Sequence, residues 1–306
     1  MVAQQQAASP AAVTPWAERT PQGIPSVDEG HLISIRHPSE MPRLWLTAAT
    51  LLSFVVVVSV TSEPWIALLV VALWVVLAVF LWLEFSKHVA HAAEITPRQF
   101  GHLYQVVEEL RRRFGVPHTR VFVVQSPVLN AGAFGIKEPY AIVFHSALLE
   151  TYSVGEFRFV LGHEMAHIRL GHTRRSLILG GGDVPLPAPL EWLDVIRKLI
   201  RSALDRAEER SCDRAGVLAC GDVRTALSAL TKLHVGPRLA HYVDLDELAK
   251  QALEIRGGAS GWGARLNEMS HSHPLFLYRV RSVIEWAGLP ARHPAPLPAP
   301  PAPESG

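Results

Sequence analysis

The order of apolar and polar positions divides the chain into four stretches. Residues 1–40 are rich in Ala, Gln and Pro with no usable period, and read as a flexible tail. Two charge-free runs follow, Leu44 to Thr61 and Trp65 to Leu83, separated only by Ser62-Glu63-Pro64. As helices, runs of 18 and 19 residues extend roughly 27–28 Å, close to the hydrocarbon thickness of a bilayer. Residues 41–87 are therefore expected to form a transmembrane helical hairpin. Residues 88–289 return to mixed patterning and read as one domain, and the Pro-rich residues 290–306 as a second flexible tail.

Within the third stretch the pattern predicts a helix starting at Thr96-Pro97 and running to Phe114 before Gly115. Strands are expected at Arg120 to Gln125 and Tyr140 to His145, joined by a loop or irregular edge strand. Ser153 to Leu170 reads as the next helix, stopped by Gly171, and Gly180 to Pro189 as a flexible connector. Further helices are expected at about 190–220, 222–235, 244–256 and 274–287. Together these elements predict an α+β fold, mostly helical with a small sheet.

Composition changes this picture in three ways. Charged residues make up only 19% of the chain, against about a quarter in an ordinary soluble protein. The 29 basic and 28 acidic residues leave a net charge of +1, so no field recruits nucleic acid and none is expected as a partner. Cys212 and Cys220 are the only cysteines; on one helix their Cα atoms would lie roughly 12 Å apart, beyond disulfide reach, so both are expected as free thiols. Arg36, Arg43 and Lys87 flank the hairpin while its turn carries Glu63. The positive-inside bias then places both termini and the domain in the cytoplasm, at the inner membrane.

The candidate chemistry begins at His163-Glu164-Met165-Ala166-His167. On a helix, positions i and i+4 share a face one turn apart, so both imidazoles can reach one zinc ion. Glu164 beside them is placed to take a proton from a water at that ion. A catalytic zinc usually has a third protein ligand. The spacing His-Glu-x-x-His-x-x-Gly-x-x-His fails, because Leu170 and Thr173 stand where Gly and His are needed; His172 is one residue short. Glu209 is the better candidate, with Glu208 as its rival. Asp213, one turn after Glu209, is expected to hold a ligating histidine by a hydrogen bond.

Four segments together resemble the HtpX-like and CAAX-prenyl-endopeptidase family of integral-membrane zinc metalloproteases. These are Asn130-Ala131 with Phe134-Gly135, Leu148-Leu149-Glu150 running into the His163 helix, Glu209 to Asp213, and Ser272-His273-Pro274 with Arg279. The resemblance implies one zinc per chain, held by His163, His167 and Glu209, with Glu164 as general base. It also implies that His273 and Arg279 act near the oxyanion or substrate backbone, and that Asn130 lies on an edge strand pairing with extended substrate. Protein or peptide substrates, themselves associated with the lipid bilayer, and a role in quality control of membrane or misfolded proteins follow from the same resemblance. The sequence departs from the family at Cys212, where Ala is usual, and in having room for only one hairpin. The competing class is a non-catalytic membrane scaffold braced by zinc, which would have no use for Glu164.

Overall fold

A computed structural model describes residues 35–61, scattered positions between 65 and 79, and residues 91–178, 191–255 and 275–287. The second apolar run lies mostly outside the described residues. So do the 180–189 connector, His273, the C-terminal tail and most of the N-terminal one. Among the described residues the order is α1 (Glu40–Thr61), β1 (Ala93–Glu94), α2 (Gly101–Arg113), β2 (Thr119–Val124), β3 (Ala131–Phe134) and β4 (Tyr140–His145). Then follow α3 (Ser146–Thr151), α4 (Val154–Arg169), α5 (His172–Ile178), α6 (Glu191–Cys220), α7 (Val223–Val235), α8 (Leu245–Glu254) and α9 (Phe276–Trp286). The mostly helical α+β architecture with a small open sheet is thus present.

The sheet runs β1-β2-β4-β3. β2 and β4 are parallel, and β1 and β3 are antiparallel to their neighbours. The central strand β4 is buried along Tyr140 to Phe144, as a strand covered on both faces must be. β3 is an edge strand, and α4 lies against it.

Local chemistry explains the helix that matters most. Ser153 caps α4: its Oγ accepts from Glu156 N, and Glu156 Oε2 accepts from Ser153 N, closing a capping box. Lys232 and Ser228 donate to the same Glu156 carboxylate, which lies against α7. Gly171, at φ +77°, ends the helix. Twelve of the 16 residues of α4 are buried, and its main partner is α6. The two cross in backbone contact: a Cβ on Gly162 would sit 2.3 Å from the Ala219 Cβ, and one on Gly216 would sit 2.7 Å from the Phe159 ring.

Two expectations need correction. The first domain helix starts at Gly101 instead of Thr96-Pro97, because Thr96 and Gln99 exchange backbone hydrogen bonds across a tight turn and Phe100 is left-handed at φ 59°. The N-terminal tail does not extend to residue 40 either. Ile35 is buried in the main core, the His37 amide donates to Ser211 Oγ, and Glu40 has no exposed surface. One apolar side chain and one carboxylate, both with partners far away in sequence, dock this stretch without leaving a period. Taking the described residues alone, no helix is long and apolar enough to cross a membrane. Leu46, Leu52, Val56 and Val60 of α1 are exposed.

Candidate metal centre

His163 and His167 project from one face of α4, and Glu209 faces them from α6. The two Nε2 atoms are 3.2 Å apart. Glu209 Oε2 lies 3.5 Å from His163 Nε2, and its Oε1 lies 3.3 Å from His167 Nε2. Ligand atoms 2.0–2.1 Å from a tetrahedral zinc would be separated by about 3.3–3.4 Å. The separations observed, with each imidazole facing its own Glu209 oxygen, are close to that edge length. Two imidazole Nε2 atoms facing each other beside a carboxylate are a donor set for a cation, and the residues fit zinc.

Two further groups stand near the pair, Glu208 and Cys212. Glu208 points away: Arg201 Nη2 donates to its Oε2 at 3.0 Å, and Arg175 Nη2 lies 3.3 Å from its Oε1. Burial pushes the Glu208 carboxyl up to about 7 against the pull of both arginines. Cys212 also offers a ligand atom within 4.8 Å of those of His163 and His167. Its Sγ also lies 3.4 Å from His172 Nδ1. Burial, with the charges of Glu209 and Glu40 next, raises the thiol well above its usual pKa and keeps it protonated. Zinc bound there would have to displace that proton.

Behind the two imidazoles lie two different supports. His163 Nδ1 is 3.1 Å from Asp213 Oδ1, and Asp213 is fully buried. Arg279, from α9, donates to both oxygens of Asp213 at 2.9 and 2.6 Å, with its Nη1 3.9 Å from Glu209 Oε2. Burial works against a charged His163, but Glu209 and Asp213 raise it to about 9. Metal binding at this imidazole must therefore expel a proton. His167 Nδ1 is 3.3 Å from His172 Nδ1, and His172 Nε2 is 3.2 Å from Glu40 Oε1. Burial, reinforced by His167 and Arg175 and opposed by Glu40, lowers His172 to about 3, so it is neutral.

Glu164 follows His163 on α4 and is buried, with no hydrogen-bond or ion-pair partner among the described residues. Asn130 precedes β3; its Oδ1 accepts from the Ala131 amide, and its carbonyl accepts from the His145 amide. A cleft there is lined by Asn130, Ala131, Gly132, Phe134, Val143 and His145. His273 lies outside the described residues. The structure thus brings His163, His167, Glu209, Asp213 and Arg279 together, with Glu164 beside the first of them. Sequence reasoning missed Glu40 and passed over His172, which it weighed only as a misplaced third histidine. The one available signal was an acid at the margin of an otherwise charge-free run.

Residues 97–186 match the family model described as Peptidase family M48. A protein of Arabidopsis thaliana named plastoglobule-localized metallopeptidase 48, chloroplastic, is 30% identical over 213 residues, which cover 66% of this chain and 61% of that protein. Proteins named protease HtpX homolog are similar as well. The one from Arthrobacter sp. (strain FB24) is 29% identical over 65% of this chain and 77% of its own, and the one from Ralstonia nicotianae is 30% identical over 47% and 59%. These matches support an HtpX-like M48 family protein. The matched segment contains α4 with both histidines but stops before α6 and Glu209. The carboxylate that faces the two imidazoles therefore lies beyond the matched residues.

Proposed function

We propose that the protein is a membrane-anchored, zinc-dependent endopeptidase. The observation that carries the proposal is the set of His163 Nε2, His167 Nε2 and the Glu209 carboxylate, mutually 3.2–3.5 Å apart, with Glu164 next to them. Zinc there supplies a Lewis acid that polarises a carbonyl and eases the deprotonation of water. Glu164 takes the proton from the attacking water and delivers it to the leaving amine, as a general base that becomes a general acid. Arg279 has two donors committed to Asp213, so it holds His163 in place, and His273 is the residue proposed for the oxyanion. β3, an edge strand lying against α4, suits an extended substrate added by strand pairing near Asn130.

Anchoring through residues 41–87 is supported by the two charge-free runs and the exposed apolar side chains of α1. Arg43 at the base of α1 donates to the Ala203 carbonyl of α6. This contact favours the domain and the base of the hairpin on the same, cytoplasmic side of the inner membrane. Substrates in or near that bilayer, and a quality-control role, follow from this placement. The test is zinc content and cleavage of an unfolded protein by detergent-solubilised chain, wild type against Glu164→Gln. One zinc per chain in both is expected, with cleavage reduced at least about 100-fold in the variant. Equal cleavage with zinc bound would remove Glu164 from the reaction.

A further inference from the structure

The two imidazoles of the metal centre have unequal support, and the weaker-looking side leads out of the domain. His163 meets a buried carboxylate directly. Behind His167 stands another histidine, His172, and behind that a carboxylate from the N-terminal segment. We infer that Glu40 is the outer anchor of the metal ligand His167, acting through His172 as a positioning residue. This inference rests on the zinc reading above.

The hydrogen-bond polarity along this line is settled by its end groups. Glu40 Oε1 can only accept, so the His172 Nε2 at 3.2 Å must carry the proton. That leaves His172 Nδ1 as an acceptor, and the His167 Nδ1 at 3.3 Å must donate to it. The His167 Nε2 lone pair is then free and aimed at Glu209 and His163. A metal-binding imidazole needs its other nitrogen pinned in this way. Cys212 Sγ, 3.4 Å from the same His172 nitrogen, completes its surroundings.

Glu40 itself is fixed from several sides. Ser211 Oγ donates to Oε2 at 2.6 Å, Arg175 Nη2 donates to Oε1 at 2.8 Å, and Arg36 pairs with Oε1 as well. The carboxylate has no exposed surface. It is also the first residue of α1, the helix that carries the first apolar run. The segment proposed as an anchor thus supplies a part of the metal centre that the M48-matched residues 97–186 do not contain.

The test uses the full chain in detergent and reads zinc affinity by chelator competition, together with the visible spectrum of the Co²⁺-substituted protein. Glu40→Gln and His172→Gln are each expected to weaken zinc 10- to 100-fold and to shift the cobalt bands. The double variant should be no worse than either alone, because both act on one line. Ser211→Ala, which removes a Glu40 partner but leaves the line intact, should bind zinc within about twofold of wild type, with melting of the metal-free proteins reporting on folding. Affinity unchanged in Glu40→Gln overturns the inference, as does a Ser211→Ala loss equal to that of Glu40→Gln. So does a double variant whose loss is the product of the two single losses. A wild-type chain that binds no zinc overturns the metal centre itself.

Discussion

The two sides of the metal centre solve one problem with different materials. On the α6–α9 side, a buried Asp213 touches His163, and Arg279 grips both its oxygens. On the α1–α5 side, a neutral histidine stands between His167 and Glu40. The first side is short, charged and internal to the domain. The second is longer, and it ends in a segment that also starts the apolar helix. The comparison teaches that two ligands on one turn of helix need not be equally dependent on the rest of the chain. His163 is held by the domain core, whereas His167 answers to the position of α1.

The sharpest way to break this contrast is to remove its charged side. Asp213→Ala leaves Arg279 buried beside His163 without its acid, and such a loss costs about 3–5 kcal/mol. Thermal unfolding should show that drop, with zinc binding abolished. Gly162→Ala comes next, because it attacks both sides at once. The new methyl would meet the Ala219 Cβ at 2.3 Å, and forcing the helices apart should cost about 1–3 kcal/mol. Zinc affinity should fall with it, as equilibrium dialysis can check.

Arg279→Lys is milder. It keeps the charge but loses the two-pronged grip on Asp213, so zinc should weaken about tenfold with little change in melting temperature. The smallest effect belongs to Glu156, at the far end of α4. Burial opposes its charge, but Lys232 and the cap hydrogen bonds hold its pKa below the usual carboxylate value. A depressed folded-state pKa gives stability that is complete above the unfolded value near 4.5 and is lost as pH falls through the lower, folded one. Glu156→Gln should therefore cost about 1 kcal/mol at pH 7. The difference should shrink in denaturant melts as the pH drops below the unfolded value, with zinc affinity at pH 7 unchanged.

The parts of this site that could be read in the sequence are those written in one helical period. His163, Glu164 and His167 announce themselves by spacing, and Glu209 and Asp213 share a face one turn apart. β2 and β4 were legible as dense apolar runs, and β3 as a possible edge strand. His172 was not legible as a partner of His167, because five residues do not return to the same helical face. Gly171, at φ +77°, breaks α4 and starts α5, and that turn brings the second ring back to the first. Glu40 was hidden for a different reason. Its bond to His172 spans 132 positions, and a lone acid beside a charge-free run looks like the start of a solvated flank. The rivalry between Glu208 and Glu209 was undecidable from adjacent positions on one helix. In the structure Glu208 pairs with Arg201 and Arg175, whereas Glu209 faces the two imidazoles.

The missing side chains at Gly162 and Gly216 carry a consequence for how the cation can be lost. Helices pressed together main chain to main chain have no soft layer to compress or stretch between them. The backbones that carry the ligating residues on α4 and α6 are thus held at a fixed separation, while each ring keeps its orientation through its own outer partner. Heating or chaotropes should therefore leave the ion fully seated until the crossing parts, then release it in a single step.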